Sequence, residues 1–340
     1  MFLQNSWYVA ATGQEVGRTP FARTILNQPT VLYRREDGTA VALEDRCCHR
    51  QLPLSLGEID GDHIVCGYHG LRYDGTGQCV EVPGQASPPP GARVRSFPIL
   101  EKWGWIMIWM GDPVRADESL LPDWWWADHP DWKRSNSHLI EIACNYELIT
   151  DNLIDVTHLT FVHKDSIGNE SIVNFPQNTE HEDRLVRSTR WIRDRPPPAT
   201  YRAAAGFTGN IDRALIIEFV PPCFTVNHAI LHEAGKDPTV DTDLTLFEHA
   251  VLSAPTPETK TTSHYFFTIA RNYGLDDPAV DTVYNEEFVQ IFHEDAVVLE
   301  AQQRNLDRAP DAEGINIAVD QGPMAARRLL SELRAAEAAA

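Results

Sequence analysis

The stretch "CCHRQLPLSLGEIDGDHIVCGYH", residues 47–69, twice sets a histidine shortly after a cysteine: Cys47-x-His49, then Cys66-x-x-His69. Residues 50–65 separate the pairs, and each pair follows a short β-like run, so the two can face one another from neighbouring loop tips. Two thiolates and two imidazoles suit either a tetrahedral zinc ion or a [2Fe-2S] centre in which two histidines replace two cysteines on one iron. Structural zinc knuckles pair cysteine with cysteine across a short turn. Here each loop offers one cysteine and one histidine with unequal gaps. That favours the cluster, because each loop then gives its cysteine to one iron and its histidine to the other. Cys48 is one residue out of register and reads as packing.

Working outward, Trp7 to Asp112 runs in short β-rich pieces such as "TILNQPTVLYRRE" and "GWIMIWMG", broken by turn signals at Glu36-Asp37-Gly38 and Asp74-Gly75. This predicts a small antiparallel β domain with loops at its tip and a Pro-rich connector, "QASPPPGARVRSFP", inside it. The texture changes after Asp112, which sets two domains, 1–115 and 116–340. In the second, periodicity predicts a helix over 141–163, strands over 185–193, 213–220, 244–253 and 262–271, a long helix over 282–306, and a last helix opening at Gly322-Pro323. The expected class is α+β.

A chain of 340 residues with 43% hydrophobic content supports two packed cores. Its formal charge of −20 repels polyanions, so nucleic acid and anionic membranes are not expected partners. No apolar window approaches the roughly 18 residues of a membrane span, and the N-terminus lacks a leader pattern, which predicts a soluble, cytoplasmic protein. Six cysteines do not suggest a disulfide framework, and Cys79, Cys144 and Cys223 read as small buried apolar residues. No GxGxxG with a following acidic residue marks a nicotinamide or flavin site, so electrons must come from outside.

A second constellation lies in "CNYELITDNLIDVTHLTFVH", residues 144–163. On a helix Asn152, Asp155 and His158 recur every three residues, and His163 rejoins that face if the helix loosens. Two neutral imidazoles need one carboxylate to complete the 2-His-1-carboxylate site of non-haem Fe(II) oxygenases. Downstream, "EEFVQIFHEDAVVLEAQQRN" offers Glu294, Asp295 and Glu300.

Together, and in this order, the two motifs resemble the terminal oxygenase component of Rieske non-haem iron oxygenases, over essentially the whole chain. "NSWYVA", "DNLIDVTHLTFVH", "TPETKTTSHYFF" and "ARNYGLDDP" are similar to the branch of vanillate O-demethylase, toluenesulfonate methyl-monooxygenase and dicamba O-demethylase. The resemblance implies a Rieske [2Fe-2S] cluster on Cys47, His49, Cys66 and His69, and a mononuclear Fe(II) on His158, His163 and Asp295. Asp155 would then hold the His158 ring and bridge to a Rieske histidine of a neighbouring subunit in a homotrimer, while Asn152 would approach the iron weakly. It further implies O2 as co-substrate, electrons from NAD(P)H through a separate ferredoxin or flavin reductase, and an anionic aromatic substrate hydroxylated at a methyl or methoxy carbon. Ring hydroxylation and N-demethylation are the alternatives within the family. From other classes, a Rieske electron carrier and a zinc-stabilised binding protein compete.

Several residues around these motifs are candidates for supporting roles. Alternation along the strands turns Asn227 and His249 inward as substrate contacts, in a region that also holds His228 and His232. Residues 165–182 and "RDRPPPATYRAAAGFTGN" are candidate lids, Arg46, Arg50 and Arg72 a candidate donor dock, and Trp124-Trp125-Trp126 a candidate interdomain packing element.

Overall fold

Short alternating runs in the first third of the chain become eleven strands: β1 (Trp7–Thr12), β2 (Phe21–Ile25), β3 (Gln28–Arg34), β4 (Ala40–Glu44), β5 (Glu58–Asp60), β6 (His63–Val65), β7 (Arg72–Tyr73), β8 (Cys79–Glu81), β9 (Ser96–Phe97), β10 (Ile99–Lys102) and β11 (Trp105–Trp109). The computed structural model describes residues 1–168, 172–236, 240–241, 244–312 and 314–339. The strands pair antiparallel in three small sheets, ordered β1-β11-β10, β2-β3-β4-β9 and β5-β6-β7-β8. Cys47 and Cys66 belong to the hydrophobic cluster of Val31, Tyr33, Leu43, Leu54, Ile64 and Tyr73, so both cysteine loops are anchored in packed core.

The chain divides into two compact units, Met1–Leu120 with Thr256–Lys260, and Leu121–Pro255 with Thr261–Ala340. The excursion at 256–260 is fixed by backbone: the Leu26 and Asn27 N–H groups donate to the carbonyls of Pro257 and Glu258 at 2.9 and 2.8 Å. Propensity carries no signal for such a long-range exchange.

The second unit is built on an antiparallel sheet of β12 (Lys133–Arg134), β13 (His138–Ile142), β14 (Gln177–Glu182), β15 (Leu185–Arg195), β16 (Ile211–Val220), β17 (Phe224–Glu233), β18 (Phe247–Pro257) and β19 (Ser263–Arg271). The order is β12-β19-β18-β17-β16-β15-β14, with β13 also on β19. Register matters most in the middle. Ile217, Asn227 and Val251 form one cross-strand row; Leu215, Ala229 and His249 form the next; Arg213, Leu231 and Phe247 form the third. Side chains two apart share a face, so these rows floor one side of the sheet.

Helices α1 (Tyr146–Ile154), α2 (Ala199–Ala205), α3 (Pro278–Thr282), α4 (Phe288–Arg308) and α5 (Gln321–Ala339) complete the unit. Two sequence expectations are corrected. The helix expected over 141–163 begins only at Tyr146, because residues 138–142 are claimed by β19, and it ends at Ile154, where Asp155 turns extended. The long helix expected over 282–306 is α4, preceded by a π turn at Val283–Glu287 and by α3. Strands β12, β13 and β14 were not expected from the sequence, and β17 only through the alternation read around Asn227. β14 takes up the end of the stretch 165–182, whose residues 169–171 lie outside the described residues. Trp124 and Trp126 pack within the second unit, against Phe224 and against Trp132 and His228 respectively, while Trp125 is exposed.

Candidate metal centre and cluster loops

In the first unit each ligand loop is closed by its own backbone. The Cys47 N–H donates to the Leu52 carbonyl at 2.9 Å, and the Gln51 N–H returns to the Cys47 carbonyl at 2.9 Å. The second loop repeats this, with Cys66 N–H on Leu71 O at 2.8 Å and Gly70 N–H on Cys66 O at 3.0 Å. Both closures use the left-handed region, at Gln51 (φ 63°) and Gly70 (φ 70°). The two cysteines are buried and the two histidines exposed, their rings 4.6 Å apart. That splits the four ligands into an inner thiolate pair and an outer imidazole pair.

The four do not converge on a point as a single-ion site requires. Among the described residues, His158, His163 and Asp295 are the group whose three donor atoms lie within 4.8 Å of one another. An inner and an outer pair instead fit a diiron centre. Burial, with Cys47 alongside, raises the Cys66 thiol above the ordinary cysteine value, a cost that metal binding to the thiolate would remove. The Tyr73 hydroxyl lies 3.1 Å from Cys47 Sγ and 3.2 Å from Cys48 Sγ, so Cys48 contacts the tyrosine that also reaches the ligand cysteine. Arg46 pairs with Glu44, and Arg72 with Asp60 and Glu81; of the three arginines proposed as a dock, these two are already neutralised locally.

In the second unit the helix break builds the triad. The Asp155 carboxylate accepts from the Thr157 N–H at 2.8 Å, capping the 3-10 turn Val156–Thr160 that carries His158. The expectation that this carboxylate holds His158 is therefore corrected. It is the Asp155 backbone carbonyl that meets His158 Nδ1. His163 Nδ1 meets Glu294 Oε2 at 2.7 Å. Both partners can only accept, so each ring donates through Nδ1, the tautomer that presents Nε2 to a metal. Burial lowers His163, but the Asp295 and Glu294 carboxylates outweigh it and hold that ring above the usual histidine value.

Those two Nε2 atoms face the same oxygen. Asp295 Oδ1 is 3.0 Å from His163 Nε2 and 3.5 Å from His158 Nε2, and it accepts from Asn152 Nδ2 at 3.1 Å. Asp295 is buried because α4 places Phe288, Phe292, Asp295 and Leu299 on one core-facing stripe. Asn152 thus steadies the carboxylate through its amide N–H. Glu300 instead accepts from the Ala143 N–H at 3.1 Å, away from the triad. Burial, helped by His163 and outweighing the opposite pull of Asp295 and Asp155, pushes His158 below the usual histidine value, toward the neutral form a metal binds.

A cavity opens beside the triad, walled by Tyr201, Leu215, Asn227, His249, Phe288 and Phe292. Both expected substrate residues reach it. Asn227 donates to the Leu153 carbonyl at 2.9 Å, leaving its Oδ1 without a partner among the described residues, and His249 Nδ1 likewise has none. Burial, ahead of the His228 and Arg213 charges, pushes His249 down to about 3, so it is neutral at working pH. His228 pairs with Glu248 at 3.0 Å, and His232 Nδ1 lies 2.9 Å from the Glu233 carbonyl. Ile167 and Tyr201, one from each candidate lid, line the wall. The sequence held no local signal for Tyr201, Phe288 or the Glu294 contact, because each depends on how α2 and α4 meet the sheet.

Residues 142–336 match the model of the vanillate O-demethylase oxygenase C-terminal domain, and residues 6–98 that of the Rieske [2Fe-2S] domain. The chain belongs to the vanillate O-demethylase oxygenase family. It is 38% identical to the toluene-4-sulfonate monooxygenase system iron-sulfur subunit of Comamonas testosteroni, over 99% of this chain and 98% of that one. To the vanillate O-demethylase oxygenase subunit of a Pseudomonas species it is 35% identical, over 99% and 96%. The crystal structure of dicamba monooxygenase with non-haem iron and dicamba superposes with a TM-score of 0.87, at 31% identity and 99% coverage of both chains. This oxygenase therefore pairs a Rieske domain with a catalytic domain of antiparallel sheet and helices. Among the described residues no helix is long and apolar enough to cross a membrane.

Proposed function

We propose that this oxygenase removes the methyl group of a methoxy-substituted aromatic anion, with O2 and electrons delivered by a separate reductase or ferredoxin. The balance is ArOCH3 + O2 + 2 e⁻ + 2 H⁺ → ArOH + HCHO + H2O. Hydroxylation of the methyl carbon gives a hemiacetal that breaks into phenol and formaldehyde. The observation that carries this reading is the cavity wall, which joins His158, His163 and Asp295 to Tyr201, Asn227 and His249 in one enclosure. The relatives named for vanillate and toluene-4-sulfonate support an anionic aromatic substrate.

In this reading Cys47, His49, Cys66 and His69 hold the Rieske cluster, and His158, His163 and Asp295 hold Fe(II). When bound, the cluster would relay single electrons and the mononuclear iron would supply O2 activation. The rest is done by the chain. Glu294 and the Asp155 carbonyl fix both imidazoles in the metal-binding tautomer, and Asn152 holds the Asp295 oxygen. Leu215, Phe288 and Phe292 exclude water beside the reacting carbon. Asn227 and His249 orient the ring substituents through their unpaired polar atoms.

The exposed His49 and His69 suit delivery of electrons to a neighbouring copy. His158 and Asp155 both line an open groove on the second unit, which supports a ring-shaped homotrimer in which Asp155 receives the electron from the next subunit's cluster. Six free cysteines support a reducing, cytoplasmic setting. The test is formaldehyde release and O2 uptake on a panel of methoxybenzoates with a surrogate reductase. Stoichiometric formaldehyde supports the demethylase, and O2 uptake with a ring-hydroxylated product in its place would refute it.

A further inference from the structure

An anionic substrate is drawn to a positive charge, and among the described residues the cavity wall offers no free one: His249 is neutral, His228 is paired with Glu248, and His158 and His163 are turned to Asp295. The nearest candidate lies one row along the sheet floor. Arg213 sits on the same face of β16 as Leu215 and Ile217, both of which line the cavity, and it is 1% exposed. Its Nη1 donates to the carbonyl of cavity residue Ile167 at 3.3 Å, and its guanidinium carbon stands 5.4 Å from the ring centre of cavity residue Tyr201. Tyr201 in turn packs 5.0 Å from His249.

What sets Arg213 apart from the other two fully buried arginines is how little holds its guanidinium: one hydrogen bond and no acid. Buried Arg271 has the Asp281 carboxylate at 2.5 Å, and buried Arg190 donates to the Ile172 carbonyl and to Gln177 Oε1 at 2.7 and 2.8 Å. Arg213 has no acid within ion-pair distance among the described residues, and its Nη2 has no hydrogen-bond partner there. A buried cation left unpaired is costly, and an anion arriving beside it removes that cost. Guanidinium is always charged at working pH and its fork matches carboxylate and sulfonate oxygens.

We propose that Arg213 is the counter-charge for the substrate's carboxylate or sulfonate, holding that group at the Tyr201–His249 side of the cavity and so fixing which ring substituent meets the metal triad. The proposal rests on the aromatic-anion reading above and adds the residue that selects for charge. Tyr201 is the intermediary: its phenol interacts with the guanidinium on one side and forms the cavity wall on the other.

The experiment measures binding without turnover, by tryptophan fluorescence, of 4-methoxybenzoate and of its neutral analogue 4-methoxybenzamide to the cluster-loaded protein. Wild type is expected to prefer the anion by roughly 10- to 100-fold, the span of one charge-assisted contact. Arg213→Met should bring that ratio close to one by weakening benzoate alone, and Arg213→Lys should restore part of it. A folded Arg213→Met protein, checked by its visible spectrum and Tm, that keeps the wild-type ratio overturns the proposal. If that variant does not fold, Arg213→Gln is read in its place, and a wild-type anion preference retained there overturns the proposal equally. Formaldehyde assays on wild type report separately on the demethylase reading, so the two can fail independently.

Discussion

His163 shows how much of this site is set by what a ligand touches on its far side. Its Nδ1 is held by Glu294 at 2.7 Å while Nε2 looks at Asp295. Replacing Glu294 by Gln should keep the fold and lower iron affinity or turnover by about 10- to 100-fold; an unchanged iron content together with unchanged turnover would remove Glu294 from the site. His249 makes a different prediction. Its folded value of about 3 lies below the ordinary 6.5 or so of an unfolded histidine, so only the unfolded chain takes up a proton between the two. Stability from this group is full above about pH 6.5 and falls as pH drops toward about 3, by about 1.4 kcal/mol per pH unit. Urea midpoints at pH 7.5 and 5 should therefore diverge less in His249→Gln than in wild type. Equal divergence would place the acid sensitivity elsewhere.

At the scale of elements, the break between α1 and the 3-10 turn decides what Asp155 can do. Asp155→Asn keeps an oxygen for the Thr157 N–H, whereas Asp155→Ala loses the cap, worth about 1 kcal/mol. If Asp155 carries electrons between subunits, both variants should reduce the mononuclear site slowly, but only Ala should lower Tm; normal single-turnover rates in Asp155→Asn would leave it a cap alone. Gly70 closes the second cluster loop at φ 70°, where an added Cβ would also sit 3.0 Å from Pro83 Cγ. Gly70→Ala should destabilise that loop by about 1–2 kcal/mol and reduce the cluster absorbance per chain. These elements also mark where sequence reading worked. Cysteine and histidine spacing within one loop is local, and so is the apolar period that marked 282–306 as a long helix. The ending of α1 at Ile154 and the π turn before α4 are not local. They follow from β13 pairing with β19 and from packing on the sheet, and no three-residue repeat in 144–163 foretells them. Asn227 and His249 were legible because strand alternation has a fixed period, while Tyr201 and Arg213 needed the register of β16 against β17 and the placement of α2.

For the whole molecule, the account requires an outer histidine pair on one unit and a buried His-His-Asp group on the other to work as one machine. If electrons pass between subunits of a trimer, mixing His69→Ala with His158→Ala should recover roughly a quarter of wild-type turnover, since a competent site needs one subunit of each kind in a fixed order. Transfer within one chain predicts none. The most direct test of the central claim is the metal content of the purified protein: iron, zinc and acid-labile sulfide per chain, in wild type and in Asp295→Ala. The account predicts about three irons and two sulfides in wild type, falling to about two irons in the variant with the cluster spectrum unchanged. Zinc in place of iron, or an iron count that Asp295→Ala leaves untouched, would contradict it.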